Sequence, residues 1–190
     1  LLADGSQRME KRIAVLGGST TNDIISMLEL FLLNCGIQPA FYQSEYAQYW
    51  QDAMFDNPEL ESFQPDLIFI HTTSRNITEA PLPLSASEQE VRDALERQFS
   101  HFSQMWERLH EVYHCPIIQN NFELPSTRLM GNRDAWDCHG MVWFIQELNR
   151  KFGQYAASHS DFYLHDLHYL AASYGLDAWH DDSYWYLYKY

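Results

Sequence analysis

The sequence predicts an α/β fold, a three-layer α/β/α sandwich in which helices cover both faces of a parallel sheet of about five strands. Two observations support this prediction. Short apolar runs alternate along the chain with longer amphipathic stretches, which is the order of a parallel sheet with helical crossovers. The runs are apolar throughout rather than at every second position, as strands are when both faces of their sheet are buried. At 190 residues the chain is long enough for one domain with a full hydrophobic core, and we expect a single domain over residues 1–190.

Five segments have the length and composition of buried strands. Each holds four or five mostly apolar residues and lies between amphipathic stretches. The predicted strands are residues 13–16, 40–43, 67–71, 116–120 and 162–165.

Apolar residues at helical spacing predict four helices between and after these strands. The first ends before Gly36, and Met27 and Leu30 make it apolar nearly all round, which predicts a well-buried helix. The longest opens with a capping box formed by Ser87 and Glu90. The predicted helices are residues 24–35, 45–55, 87–113 and 136–159.

Charge and cysteine content narrow the choice of partners. The chain carries 26 acidic and 12 basic residues, a formal net charge of −14. No basic cluster offsets this charge, so we expect neither nucleic acid nor a membrane as a partner. Its cysteines, Cys35, Cys115 and Cys138, are far apart and have no metal-binding spacing, which favours reduced thiols in a cytoplasmic protein.

Residues 12–23, RIAVLGGSTTND, are the most informative motif. A strand, two glycines and a helix start follow one another, which predicts Ser19 at the carboxyl end of a strand and the amino end of a helix. A serine there can be a nucleophile backed by free backbone N–H groups. The same N–H groups, with Thr20 and Thr21, can instead bind phosphate. The third interpretation is a serine that caps the helix through its hydroxyl group.

A nucleophilic Ser19 requires a base, an orienting acid and donors to an oxyanion. Asp177 and His180 have the Asp-x-x-His spacing that lets one loop present both side chains to the same serine. They are the predicted acid and base. The residues that we expect to bind the oxyanion or the substrate are Gly18, Ser44, Arg75, Asn76, Asn120 and Asn121.

Three of these residues also have a structural interpretation. Asn120 and Asn121, at the end of a predicted strand, can bind a substrate carbonyl or hydroxyl, or they can brace the loop. Arg75 can attract a carboxylate or phosphate, or it can pair with a neighbouring acid. The histidines and acids near the end of the chain have no established metal-ligand spacing, so we expect no metal.

In their order along the chain, Ser19, Asn76, Asp177 and His180 resemble the functional residues of the SGNH/GDSL hydrolase group. Members of that group carry a serine after the first strand, an asparagine after the third, and Asp-x-x-His near the end. The resemblance implies a serine esterase or acyl-transfer activity. Two motifs depart from the pattern: Gly-Asp-Ser is here Gly-Gly-Ser, and Gly-x-Asn is here Ser-Arg-Asn.

A second resemblance covers almost the whole chain. The segments RIAVLGGSTTN, PDLIFIHT, PIIQNNFELPSTRLMGN and LHDLHYLAASYGLDAWHDDSYWYLYKY are similar to the amino-terminal domain of FkbH-like proteins. In that family a domain of SGNH-like fold precedes a HAD-superfamily domain. The HAD domain is similar to phosphatases and, in some polyketide pathways, loads glyceryl units from a phosphorylated precursor onto a carrier protein.

The FkbH-like resemblance implies an adjoining HAD domain, a small acyl or glyceryl substrate and an acyl carrier protein as partner. We therefore expect the 190 residues to be a piece of a longer protein. The family pattern has a tryptophan and, with one residue between them, an aspartate, which match Trp179 and Asp181. Whether His180 or Asp181 is the functional residue of this loop stays open.

Three functions remain for comparison. The first is a hydrolase or acyl-transfer domain that acts on an ester or carrier-bound thioester through Ser19. The second is a non-catalytic domain that docks a substrate or carrier protein for the HAD domain. The third, an FMN-binding flavodoxin-like protein, fits the serine- and threonine-rich loop but not the FkbH-like resemblance, so we expect no cofactor. For the sheet we expect a flavodoxin-like strand order.

Overall fold

A parallel sheet of five strands forms the centre of the computed structural model, which describes residues 8–188. The strands lie side by side in the order β2-β1-β3-β4-β5, and every pair of neighbours is parallel. This is the flavodoxin-like order, so the predicted fold class is confirmed. The strands are β1 (Met9–Gly17), β2 (Ile37–Gln43), β3 (Leu67–His71), β4 (Ile117–Asn120) and β5 (Phe162–His165).

Eight α-helices connect and flank these strands within the described residues. The helix predicted over residues 87–113 has the capping box expected for it: the Ser87 hydroxyl accepts from Glu90 N, and the Glu90 carboxylate accepts from Ser87 N. None of the helices within residues 8–188 combines the length and the apolar composition that a bilayer crossing requires. The helices are α1 (Asn22–Asn34), α2 (Tyr49–Met54), α3 (Pro58–Phe63), α4 (Glu88–Tyr113), α5 (Met141–Ser158), α6 (Leu167–Tyr174), α7 (Leu176–Trp179) and α8 (Asp182–Tyr188).

The core is richest in aromatic rings where α4 and α5 pack together. Trp106 of α4 is 1 % exposed, and its ring centroid lies 4.7 Å from that of Phe152 on α5. Phe122, in the connection after β4, packs at a tilted angle against rings of both helices, 5.6 Å from Phe102 and 5.4 Å from Phe152. The indole N–H of Trp106 donates to Gln119 Oε1 at 3.1 Å, so the one polar atom of this ring is satisfied inside the core.

The prediction that the first helix is well buried was wrong. No residue of α1 is buried, and Met27, Leu30 and Phe31 are 51 %, 45 % and 60 % exposed. The cause is the strand order: α1 packs against β2, which is an edge strand, so little of the sheet is left for the helix to cover. Apolar residues on all sides of α1 therefore do not mean that the helix is buried.

Candidate functional site

A cavity of about 550 Å³ opens at the carboxyl ends of the strands. The connections after β1, β3 and β4 and the end of β5 all contribute to its wall, and α6 to α8 cover it. The connection after β1 leads to β2 on one side of the sheet, whereas the connection after its neighbour β3 leads to β4 on the other side. Open α/β sheets bind ligands at the crevice between two such strands. The polar and aromatic side chains of its wall include Ser19, His71, Arg75, Glu123, Trp179 and His180.

The turn that carries Ser19 is tightly packed against Asn76. A Cβ on Gly18 would lie 2.5 Å from Asn76 Oδ1, and a Cβ on Gly17 would lie 2.7 Å from Thr21 Cγ2, so both positions require glycine. Ser19 is 4 % exposed and lines the cavity. Within residues 8–188 its hydroxyl group has no hydrogen-bond partner and does not cap α1, which begins after Thr21 without a side-chain cap.

Asn76 connects the end of β3 to the Ser19 turn. Its Oδ1 accepts from Thr73 N at 2.9 Å, and its Nδ2 donates to Gly18 O at 3.1 Å. The predicted oxyanion donor is thus already engaged with the backbone beside Ser19.

Ser44 lies on the other side of the same turn. Its backbone N–H donates to Val15 O at 3.0 Å and extends the β1–β2 pairing, so it does not point at a ligand of Ser19. Its buried hydroxyl has no partner within the described chain. Ser44 lines a second cavity, of about 320 Å³, which is bordered by Ser19 and by polar side chains such as Gln43.

The predicted acid and base do not form a triad with Ser19 in this structure. His180 Nε2 lies 2.8 Å from Leu124 O, so this nitrogen carries the proton and donates it to the carbonyl. Asp177 is exposed in α7, and no hydrogen bond within residues 8–188 joins it to His180, or His180 to Ser19. Helix α7 ends at Trp179 and His180 is extended, which carries its ring to Leu124 instead of back to Asp177.

The asparagines at the end of β4, Asn120 and Asn121, hydrogen-bond to neighbouring segments of the chain. Asn120 is fully buried; its Oδ1 accepts from Thr72 N at 2.8 Å and its Nδ2 donates to Thr72 O at 2.5 Å. Asn121 Nδ2 donates to Asp166 Oδ1, and its Oδ1 accepts from His168 N, both at 2.8 Å. These bonds join β4 to β3 and to the start of α6, which is the loop-bracing alternative of the sequence analysis.

Arg75 sits at the edge of the cavity and pairs with an acid. Its Nη2 lies 2.6 Å from Asp182 Oδ1, and its guanidinium carbon lies 4.6 Å from the centre of the Trp185 ring. Both partners belong to α8, so Arg75 ties the cover of the cavity to the connection after β3. Thr20 makes a second tie, because its hydroxyl donates to Tyr188 O at 2.8 Å.

Two further residues of the cavity wall were not found from the sequence. Glu123 is 4 % exposed, and its Oε1 accepts from Ser74 N and Ser74 Oγ, at 3.1 and 2.6 Å. Burial, followed by the charge of His165, lowers the pKa of His71 to about 4, so His71 is neutral at pH 7. An acid in the apolar segment after Asn121 was the available signal for Glu123, and a histidine ending a buried strand was the signal for His71.

Three neighbouring side chains of metal-ligand type lie outside the cavity wall. Within the described residues, ligand atoms of Asp137, Cys138 and His139 lie within 4.8 Å of one another. The ring nitrogens of His139 are both engaged, Nδ1 with Asp137 Oδ1 at 2.8 Å and Nε2 with Ala86 O at 2.9 Å. This group therefore connects the loop before α5 to the residues before α4, and its donor atoms are occupied.

The family model described as "FkbH, N-terminal domain" matches residues 12–189. The chain belongs to this family. The resemblance found in the sequence is thereby confirmed, and the cavity described above belongs to an FkbH N-terminal domain. A search of curated proteins found no match.

Solved structures that are similar to this chain come from several bacterial proteins. The N-terminal part of a Bacteroides fragilis protein, which contains a phosphatase domain and was crystallised with Mg, is 17 % identical with a TM-score of 0.79, over 96 % of this chain and 47 % of that one. A gut microbial diltiazem-metabolizing enzyme is 13 % identical with a TM-score of 0.56, over 90 % of this chain and 40 % of its own. A GDSL-like lipase from Bacteroides thetaiotaomicron is 18 % identical with a TM-score of 0.44, over 86 % and 72 % of the two chains. The chain thus spans about half the length of the Bacteroides fragilis structure, with which it shares a fold.

Proposed function

We propose that this domain binds a small acyl or glyceryl unit in the cavity at the strand ends and holds it for an adjoining phosphatase-type domain. The observation that carries the proposal is that the cavity is open while the groups predicted to act as base and oxyanion donors already have hydrogen-bond partners. His180, Asn76 and the Ser44 N–H are each hydrogen-bonded to backbone carbonyl groups, whereas the cavity lined by Ser19 and His180 has the volume of a ligand site. Binding without hydrolysis fits this arrangement better than a serine hydrolase does.

The size of the cavity supports a small ligand. Sites for small molecules have volumes of about 300–1,000 Å³, and this cavity has about 550 Å³. A three-carbon acyl unit needs only part of this volume. The remainder is sufficient for the thioester link by which a carrier protein would present that unit.

The chemistry of the wall supports a ligand with both carbon and polar groups. Phe69 and Trp179 contribute ring surfaces against which a carbon chain can pack. Ser19 and Glu123 add hydrogen-bonding groups, and Arg75 adds a positive charge. A wall of this kind fits a hydroxylated acyl chain.

The adjoining domain is part of the same proposal. The similar Bacteroides fragilis structure contains a phosphatase domain, and the present chain spans 47 % of it. We propose that a HAD-type domain follows this one in the full protein and acts on the unit that the cavity presents, as the family resemblance implies. An acyl carrier protein is the partner that would supply the thioester.

A Ser19 hydrolase is the second candidate, and one observation favours it. The Ser19 hydroxyl has no partner within residues 8–188 and lines the same cavity as His180. With Nε2 of His180 donating to Leu124 O, Nδ1 is the ring atom that would take the Ser19 proton while Oγ attacks the carbonyl carbon. The proton would then pass from Nδ1 to the departing alcohol or thiol.

Labelling with a fluorophosphonate separates the two candidates. We expect wild type and Ser19→Ala to be labelled equally little, because no base holds the Ser19 proton in this structure. The glyceryl thioester of N-acetylcysteamine should nevertheless bind to both proteins in calorimetry. Stoichiometric labelling of wild type that disappears in Ser19→Ala would overturn the proposal and establish the hydrolase.

A further inference from the structure

We infer that Glu123 selects the ligand of this cavity by accepting a hydrogen bond from a ligand hydroxyl group through Oε2. The inference rests on the proposed binding function and specifies it: the cavity takes an acyl unit that carries a free hydroxyl group, in preference to the same unit without one.

The two carboxylate oxygens of Glu123 have different surroundings. Oε1 accepts two hydrogen bonds from Ser74, one from the backbone and one from the side chain. Oε2 is buried and has no hydrogen-bond partner within residues 8–188. A buried carboxylate oxygen without a donor is unfavourable, and such atoms are rare in folded proteins. Glu123 is therefore half satisfied by the protein.

A molecule in the cavity can supply the missing donor. Glu123 is only 4 % exposed, and it lines the cavity. Since Ser74 already occupies Oε1, a donor that enters from the cavity would bind at Oε2. A ligand-binding role therefore accounts for the unpaired oxygen.

The backbone on both sides of Glu123 is held in place. Phe122 N–H donates to Asn149 Oδ1 at 2.9 Å, and Asn149 Nδ2 donates to Phe122 O at 2.8 Å. On the other side, His180 donates to Leu124 O at 2.8 Å. A binding group is most selective when its own position is fixed before the ligand arrives, and Glu123 meets this condition.

A hydroxyl group is the donor that the proposed glyceryl ligand offers. It makes a charge-assisted hydrogen bond to a carboxylate.

The test uses N-acetylcysteamine thioesters of three acids with the same three-carbon chain: glyceric acid with two hydroxyl groups, lactic acid with one, and propionic acid with none. Their affinities for the 190-residue chain are measured by calorimetry. We expect the better of the two hydroxylated thioesters to bind about 10- to 100-fold more tightly than the propionyl thioester, because the latter leaves Oε2 unpaired.

Glu123→Gln tests the residue itself. This change keeps the Oε1 acceptor for Ser74 and replaces Oε2 with a donor, so the preference for hydroxylated thioesters should fall to within about 3-fold. Glu45→Gln is the matched control, because Glu45 is exposed and lines only the second cavity beside Ser19. It removes the same charge and should keep the preference. Thermal unfolding of each variant checks that it is folded.

The outcomes separate the inference from the function on which it rests. If wild type binds all three thioesters with equal affinity, or if Glu123→Gln keeps the full preference, the assignment of Glu123 is wrong and the binding function stands. If wild type binds none of the three, the proposed function fails and the inference fails with it. The comparison among ligands on wild type does not depend on how well any variant folds.

Discussion

The Ser19 turn and the Asp177–His180 segment are two halves of one predicted site, and they are built differently. Gly17, Gly18 and Ser19 are buried at the carboxyl end of β1, with no free space around the glycines. Helices α7 and α8 contain no buried residue at all. The sheet therefore fixes one half of the site, whereas the other half lies on the exposed part of the cover, helices α7 and α8.

Polar contacts join the cover to the connections that follow the strands. They include the bond from His180 to Leu124 O, the pair of Arg75 with Asp182, and the bond from Thr20 to Tyr188 O. Such contacts are individually weak, so the cover should open at a lower free energy than the sheet unfolds. Groups on the sheet are suited to hold a ligand, and groups on the cover are suited to admit it.

The largest effect that we expect concerns the sheet half and depends on pH. The pKa of His71 is lowered to about 4 in the folded protein and is about 6.5 in the unfolded chain, so the unfolded state binds the extra proton first. The contribution of neutral His71 is complete above pH 6.5 and is lost as the pH falls to about 4, a change of about 3 kcal/mol in the free energy of unfolding. Urea unfolding across this range should show a steeper fall for wild type than for His71→Gln. Equal slopes would mean that His71 titrates normally.

The next effect tests the packing of the Ser19 turn. Gly18→Ala places a methyl group against the Asn76 amide, so we expect a loss of about 2 kcal/mol in the free energy of unfolding. Gly153→Ala is the control: nothing lies within 4 Å of a Cβ at this helical position, and alanine should stabilise α5 by about 0.5–1 kcal/mol. If both changes have the same sign in urea unfolding, the turn is less tightly packed than described.

The smallest effect concerns the cover. His180→Ala removes the hydrogen bond to Leu124 O, which should cost about 1 kcal/mol and should be felt mainly in α7 and α8. Hydrogen exchange is expected to accelerate in residues 176–188 and to stay unchanged in β1 and β3. Faster exchange in the strands as well would show that sheet and cover unfold as one unit, and the comparison of the two halves would lose its basis.

Sequence patterns predicted the sheet well because buried parallel strands are apolar on both faces, a property of each segment alone. The burial of α1 could not be predicted in this way, since it depends on β2 being an edge strand. The same limit applies to the site. The sequence placed Ser19 and Asn76 after the correct strands, but the contact between Asn76 and Gly18 joins residues 58 positions apart.

Glu123 illustrates the limit most clearly. Its burial and its bonds to Ser74 arise from the pairing of β3 with β4, and the sequence offers only an acid in an apolar segment. For His180 the spacing from Asp177 is visible in the sequence, whereas the direction of its ring depends on where α7 ends. Local patterns thus located the candidate residues, and long-range contacts decided which atoms remain free.

The positions of the tryptophans give this domain an optical property. Trp106 is 1 % exposed in the core, whereas Trp179 is 37 % exposed on the cavity wall and Trp185 lies under the guanidinium group of Arg75. Indole emission depends on solvent contact and on nearby charge, so the core and the cover emit from different environments. Light collected from Trp179 and Trp185 reports on the cover and cavity, and light from Trp106 reports on the integrity of the fold.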